Sequence, residues 1–397
     1  MKPEDVRAWL EEHLPSAWLE AGRHGGPDAV RQVRTRAAYE EWYPVFAASG
    51  LVVPTWPKEY GGLDVTPDVA RAIEAELAPF NLGRLNPLGL NNAAPALFAY
   101  GTEEQRLRYL PPIVRNEEKW CQLFSEPGAG SDLASLATRA DRDGDTWYVT
   151  GQKVWTTWAH ESQFGVLLAR TDPDVPKRQG ITYFLIDLRQ PGVEVRPLRH
   201  ITGEVDFNEV FLDRAVVPDA MRIGPVGEGW KVAGATLAGE RQMVAGAGSG
   251  GVDRIGGRGI DHVLNLARAR GCDPALRDEI VRAYCEERIR AWTNQRVRAG
   301  AKAGRPLGPA SSIGKVHQGA LNQRIQLLAV ALLGGDAMAW SEDALPLEVR
   351  GMLRSRANTI EGGTTEVNKN VIGERVLGLP REPDAFRDAA WRAIPRS

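Results

Sequence analysis

Along the first part of the chain the apolar positions recur at helical spacing. Val6, Trp9 and Leu10 share one face near the start, and the stretch from Val69 through Leu77 repeats the pattern. Thr102-Glu103-Glu104-Gln105 has the form of a capping box, which sets a helix start just ahead of Arg106-Leu107-Arg108-Tyr109-Leu110. Pro111-Pro112 is then expected to interrupt regular structure. From about Lys119 the period shortens. Asp143-Gly144-Asp145 stands between Thr138–Ala140 and Thr146–Thr150, the form of a hairpin turn with its strands. Phe164–Ala169, Ile181–Leu188, Val193–Pro197 and Phe207–Leu212 are further strand candidates, separated by clusters of Gly, Pro and Asp. This unit closes near Gly224-Pro225. After Gly229 the pattern is helical again, most plainly over Asp278–Arg298 and Gln318–Leu333. The order predicts an α+β multidomain chain: an N-terminal all-α domain over 1–118, a middle β-barrel or sandwich domain over 119–225, and a C-terminal helical domain over 226–397.

Composition narrows the function. The 397 residues carry 49 Lys plus Arg against 51 Asp plus Glu, a formal net charge of −2. That balance argues against nucleic acid as a partner, and the basic run from Arg288 to Arg298 reads as a solvated helix face. No apolar stretch approaches bilayer length, and the acidic N-terminus has no apolar core of a signal peptide, so the expectation is a cytoplasmic protein without membrane insertion. Cys121, Cys272 and Cys285 are too scattered for a disulfide framework or a metal knuckle.

Two segments carry candidate chemistry. In Phe124-Ser125-Glu126-Pro127-Gly128-Ala129-Gly130-Ser131-Asp132, small residues let backbone N–H groups approach a polar ligand, and Ser125 and Ser131 add hydroxyl donors. Gly151-Gln152-Lys153-Val154-Trp155-Thr156-Thr157 follows a strand at a domain edge and offers a flat wall with hydroxyls at its rim, suited to an aromatic ring with polar edges. Other patterns are set aside. Gly246-Ala247-Gly248-Ser249-Gly250-Gly251 matches a dinucleotide fingerprint but follows a helix, whereas that fingerprint needs a strand first. These glycines fit better as a loosened helix end or a widened tunnel. His160-Glu161 lacks the second histidine of a zinc site, because Phe164 stands there, and the six histidines show no ligand spacing, so no metal is expected.

Taken together, the two segments resemble the acyl-CoA dehydrogenase family. The resemblance extends through Trp56-Pro57-Lys58-Glu59-Tyr60-Gly61-Gly62, Gly101–Gln105, Gly227-Glu228-Gly229-Trp230, Glu361-Gly362-Gly363-Thr364-Thr365-Glu366 and Glu374–Pro380 in the right order. It spans nearly the whole chain and is strongest toward actinobacterial members. It implies a four-helix-bundle-type C-terminal domain, FAD bound between the β domain and the last helices, and oxidation of an acyl-CoA thioester to its trans-2-enoyl product. By position, Gln122, Phe124, Ser125, Gly130 and Ser131 should line the flavin, with Ser131 also touching CoA. Trp155 should pack on the ring, the Thr157 hydroxyl should lie near flavin N5, and Thr364 and Glu366 should meet the cofactor.

The reaction implied needs a carboxylate to take the α-proton and donors for the thioester oxygen. Many family members carry the base four residues ahead of the position of Glu366. That position is Gly362 here, with Glu361 beside it. Isovaleryl- and long-chain-type members place it instead in an earlier Glu-Arg pair, matched by Glu240-Arg241 within Leu237–Ala245. Glu240 is the expected base. Gly362 is expected to give its N–H to the thioester, and Arg241 to orient the carboxylate, contact substrate, or form a helix-face ion pair. The helix of the family's Arg-x-x-Phe-Gly motif reads Arg296-Val297-Arg298-Ala299-Gly300, followed by Gly304–Pro309, and Ala331 stands where a Gln is common. Arg296 stays a candidate for contact with the cofactor of a neighbouring subunit. Expected partners are the acyl-CoA, an electron-transfer flavoprotein as acceptor, and further subunits in a homo-oligomer (dimer or tetramer) or a heteromer. The alternatives are an oxidase on the same scaffold and a non-catalytic subunit of a mixed assembly.

Overall fold

The computed structural model describes residues 3–244, 257–302, 311–341 and 344–395, apart from the side chains of 3, 238–244, 298, 301, 302 and 311. Helices α1 (Pro3–His13), α2 (Ser16–Val33), α3 (Arg36–Ala48), α4 (Pro67–Leu77), α5 (Ala94–Tyr100) and α6 (Glu103–Arg115) come first. Val6 and Leu10 are buried on α1, and Ile73 and Leu77 on α4, as their spacing requires. The capping box ahead of α6 forms: Gln105 N donates to Thr102 Oγ1 at 3.2 Å and Thr102 N to Gln105 Oε1 at 2.9 Å. Gln105 Nε2 also donates to the carbonyls of Ala220 and Arg222, tying this helix start to the β domain.

The break expected at Pro111-Pro112 does not occur, because α6 runs through both prolines to Arg115. Pro111 leaves the Leu107 carbonyl without its helical donor, but Leu107 lies on the exposed side, where water can serve it. Leu110, Ile113 and Val114 are buried on the other side, and that packing carries the helix past the interruption.

Eight strands follow among the described residues: β1 (Trp120–Leu123), β2 (Arg139–Asp143), β3 (Thr146–Thr157), β4 (Phe164–Arg170), β5 (Ile181–Asp187), β6 (Val193–Leu198), β7 (Phe207–Pro218) and β8 (Arg222–Ile223). They form one sheet in the order β6-β7-β3-β2-β4-β5-β8, with β1 parallel to β4. All seven residues of β4 are buried. Val166 and Leu168 face the core shared with the N-terminal helices, while Leu167 and Ala169 face a second core with Trp147, Phe184 and Leu212. A strand covered on both faces reads as one apolar run, and this one does.

Helices α7 (Gly229–Val244), α8 (Ile260–Arg270), α9 (Pro274–Lys302), α10 (Ser311–Leu333), α11 (Leu347–Arg354) and α12 (Thr365–Val371) complete the chain. Ile260, Val263, Ile280, Ala283, Leu321, Ile325 and Leu328 form the core of this region. The chain is therefore helical, then β, then helical. Among the described residues no helix is long and apolar enough to cross a membrane. Gly246–Gly251 and Gly304–Pro309 lie outside the described residues.

Candidate functional site

The segment Phe124–Asp132 leaves β1 and is wired before any ligand arrives. Glu126 and Ala129 exchange backbone hydrogen bonds of 3.1 and 3.0 Å across Pro127-Gly128, and Val154 N donates to the Ser125 carbonyl at 2.9 Å. Beneath it lies Lys153 of β3, wholly buried, whose Nζ donates to Glu126 Oε1 at 2.8 Å and to the Phe124 carbonyl at 3.1 Å. The Glu126 carboxylate also accepts from Ala137 N at 2.7 Å and Thr138 N at 2.9 Å, closing the loop at its far end. Burial pushes the Glu126 carboxyl up, but the Lys153 charge and these hydrogen bonds outweigh it and hold the group below its ordinary value. Burial lowers the Lys153 ammonium, partly opposed by Glu126.

This loop fits a ligand such as FAD by a test internal to the chain. Gly128 and Gly130 have no positive φ, and a Cβ on either would meet nothing within 4 Å. Neither backbone conformation nor packing demands glycine there, whereas close approach of a bound group does. Gly130 and Ser131 are exposed, and Gln122 and Ser125 are half-buried. Phe124 is buried edge-on against Tyr183, so its backbone, not its ring, is what it can offer.

Gly151–Thr157 does not follow a strand, contrary to the reading from spacing. It is the second half of β3, which pairs with β7 and is irregular at two points, between Val149 and Gly151 and between Lys153 and Thr156. At the second, Val154 and Trp155 together oppose one residue of β7, a bulge that turns the strand. Trp155 takes a left-handed φ of 59° and is 57% exposed, with its ring edge-on to Phe207 at 5.8 Å. A bulky residue held in that conformation with its ring in solvent is strained, and strained positions of this kind cluster at functional sites. Thr157 is half-buried beside it, and buried Thr156 keeps a hydroxyl without a partner among the described residues.

Around Phe207 the β domain meets the C-terminal helices. Arg354 lies over the Phe207 ring at 5.6 Å, and Arg350 donates to Glu204 at 2.8 Å. His200, Glu204 and Asp206 come within 4.8 Å of one another, which the scatter of histidines along the chain did not foretell. Glu204 is already engaged by Arg350 and by the Thr202 hydroxyl, so this cluster acts as a clasp between domains.

The two rival carboxylates differ in how they are held. Glu361 accepts from Arg354 at 3.1 Å and from Asn358 Nδ2 at 3.1 Å. Asn358 in turn accepts from Asn322, and Asn322 from Gln326 at 2.9 Å, so Glu361 ends a buried relay of amides from α10. Gly362 has a φ of 62° and Gly363 one of 89°, a left-handed pair at which any carboxylate-bearing residue would be strained. Glu240 and Arg241 lie on the backbone of α7, their side chains outside the described residues. Glu240 stands one helical turn beyond buried Thr236, whose hydroxyl donates to the Asn92 carbonyl at 3.0 Å and meets Tyr183 OH at 2.8 Å.

Other expected residues are placed less centrally. The Thr364 hydroxyl caps α12 by accepting from Val367 N at 3.1 Å, and Glu366 is exposed in the first turn. Arg296 is exposed on α9, one turn beyond the exposed Trp292. The Lys153–Glu126 pair had escaped notice. Its signal was strand alternation, since Lys153 keeps the inward phase of Trp147 and Val149, and a lysine facing inward needs a buried acid.

Comparison with known proteins agrees with this geometry. Acyl-CoA dehydrogenase N-terminal, middle and C-terminal domains are matched over residues 4–117, 121–215 and 227–377. The acyl-CoA dehydrogenase IpdE1 of Mycobacterium tuberculosis is 38% identical over 95% of this chain and 97% of its own length. FadE34 of the same organism, also an acyl-CoA dehydrogenase, is 41% identical over 84% of this chain, which spans 45% of that longer protein. Among solved structures, the Tcur3481-Tcur3483 steroid ACAD superposes with a TM-score of 0.75 at 27% identity, covering 96% of this chain and 97% of its own. The chain thus belongs to the acyl-CoA dehydrogenase family, oxidoreductases that act on a CH–CH bond.

Proposed function

We propose that this chain oxidises an acyl-CoA thioester to its trans-2-enoyl-CoA, with FAD as resident cofactor and Glu240 as the base that takes the α-proton. FAD, when bound, supplies the acceptor for the β-hydride. Gln122, the backbone at Phe124, Ser125, Gly130 and Ser131 would hold it, with the loop pinned from below by Lys153 and Glu126. Trp155 and Thr157 would border the ring on the bulged part of β3. Thr364 and Glu366 would meet the cofactor at the start of α12, and Ser131 would also touch CoA. Gly362 N–H would donate to the thioester oxygen, and Arg241 would orient the base.

The observation that carries the assignment of the base is the state of Glu361. A carboxylate that accepts from both an arginine and a buried amide relay is committed to structure, and Gly362 has no side chain. That leaves Glu240, on the helix whose Thr236 already reaches Asn92 in the single π-helical turn Gly89–Ala93 beside β1. The test is Glu240→Gln. The variant should keep its flavin and its Tm yet lose roughly two to four orders of magnitude in flavin bleaching by acyl-CoA. Glu361→Gln should bleach at near the parental rate. Full turnover by the first variant, or loss confined to the second, would defeat the assignment.

Electrons would leave for an electron-transfer flavoprotein, and more than one chain is expected in the working enzyme. Val281, Tyr284, Ile289 and Trp292 leave an exposed apolar stripe on α9, at spacings that keep to one side of the helix. A second chain on this stripe would bring Arg296 toward the neighbouring cofactor. That chain is another copy or a sister protein of the same family, and native mass spectrometry distinguishes the two.

A further inference from the structure

The Phe124–Asp132 loop has two ends, and different parts of the chain fasten them. The inner end rests on Lys153 and Glu126. The outer end, past Ser131 and Asp132, turns through Leu133–Ser135 before β2 begins. Three successive carbonyls at this turn are taken by side chains from elsewhere. Arg170, the last residue of β4, donates Nη2 to the Ala134 carbonyl at 2.7 Å and Nε to the Leu136 carbonyl at 3.0 Å. Between them, Trp391 donates Nε1 to the Ser135 carbonyl at 3.3 Å.

Trp391 belongs to a strap that follows α12. Residues 375–388 are exposed throughout, and the chain then lies down on the β domain. Ala390 and Pro176 form a backbone bridge, Trp391 N donates to the Val175 carbonyl at 2.9 Å, and Arg392 N donates to the Pro173 carbonyl at 3.0 Å. Arg392 also pairs with Asp174 at 2.6 Å. The strap is thereby pinned to the β4–β5 connection, whose Lys177 reaches back to Asp132 at 2.7 Å. Arg170 Nη1 donates to the Lys177 carbonyl at 3.1 Å and so joins the two loops. The guanidinium of Arg170 lies over the Trp391 ring at 4.4 Å, and Arg170 is only 2% exposed. A covered guanidinium holds carbonyls more firmly than a wet one, because water no longer competes for its donors.

We propose that Trp391 is a positioning residue for substrate binding: through Arg170 and the Leu133–Ser135 turn it holds exposed Ser131 where the CoA part of the thioester is received. This rests on the acyl-CoA dehydrogenation, and on the contact of Ser131 with CoA, proposed above. A loop fixed before binding spares the ordering entropy that a loose loop gives up on each encounter. The strap therefore acts on affinity and not on the chemical step.

The experiment uses the full chain loaded with FAD and follows flavin bleaching by straight-chain, branched and steroid side-chain acyl-CoA thioesters. With each thioester that the parent accepts, Trp391→Ala should raise KM about tenfold and leave kcat within about twofold. It should keep its flavin, because Lys153 and Glu126 still hold the inner end. Trp391→Phe keeps a ring over Arg170 and should stay within about threefold of the parental KM. Ser131→Ala should raise KM as well, and the double variant should be no worse than the worse single one, since both act through one contact. Amide hydrogen exchange without substrate should quicken over residues 130–136 in Trp391→Ala and stay unchanged over 120–126. An unchanged KM in Trp391→Ala, multiplying effects in the double variant, or loss of flavin would overturn the inference. So would exchange that quickens equally at both ends of the loop, the mark of general loosening. If no thioester bleaches the parent although the exchange contrast holds, the dehydrogenation reading has failed, and the role in substrate binding falls with it.

Discussion

The β domain and the C-terminal helices both bury polar side chains, but they settle them differently. Under the Phe124–Asp132 loop the solution is one charged pair, Lys153 with Glu126, enclosed by backbone donors and aromatic core. Beside α10 it is a string of neutral amides, Gln326 and Asn322 of that helix and Asn358 of the turn after α11, that ends on half-buried Glu361. The two regions differ outside as well. The β strands bury most of their apolar side chains within this chain, Trp155 and Val216 excepted, whereas α9 leaves Val281, Ile289 and Trp292 more than half exposed along one side. The strands of the first region are covered by its own sequence except at Trp155 and Val216. The second leaves an apolar stripe that the described residues do not cover.

Breaking the charged pair should have the largest effect. Lys153→Met leaves Glu126 buried and unpaired, and should cost about 3–5 kcal/mol in denaturant unfolding together with loss of bound flavin. Asn322→Leu interrupts the amide string and should cost about 1–3 kcal/mol, with the flavin retained. If the two losses were equal, or the second variant also shed flavin, the contrast between the regions would fall.

Acid sharpens the contrast further. Asp219 is held far below its ordinary value by hydrogen bonds from Arg222 and Trp147, which outweigh its burial. Glu126 and Glu204 are lowered as well, burial notwithstanding, by Lys153 and Arg350 respectively. In each case the folded state holds fewer protons than the unfolded one. Their stabilisation is therefore complete at neutral pH and is lost as pH falls below about 4. All three groups sit in the β domain or on its rim, so tryptophan and flavin signals should change together in an acid titration at fixed urea. The smallest effect on folding belongs to Trp292→Glu. It should shift the native mass toward a single chain while changing the unfolding free energy of that chain by no more than about 0.5 kcal/mol.

Much of the fold was legible because local chemistry and global packing agree. The capping box ahead of α6 marks a helix start by its own chemistry, and the apolar run of β4 reads as a strand because it is short and flanked by turn residues. Pro111-Pro112 misled because a helix with one wet side can lose donors there without penalty. Gly151–Thr157 misled because a bulge hides strand alternation just where it re-aims Trp155. The site was half legible. Its glycines and tryptophan stand out in sequence, but Asn92 and Gln326 look like any surface amide until distant segments close over them.

The string of amides from α10 to Asn358 has one more property. Asn322 and Asn358 each take at one end and give at the other, and Gln326 Nε2 gives both to Asn322 Oδ1 and to the Arg258 carbonyl, so the string runs head to tail with its sense set at both ends by groups that can only take, the Arg258 carbonyl and Glu361. Glu361→Leu would remove one of these anchors and leave Asn358 Nδ2 without its acceptor, while the Arg258 carbonyl still holds Gln326, and through it Asn322, in the present sense. Side-chain amide resonances in that variant should move at Asn358 and stay single along the string, a core that keeps its direction from its far end.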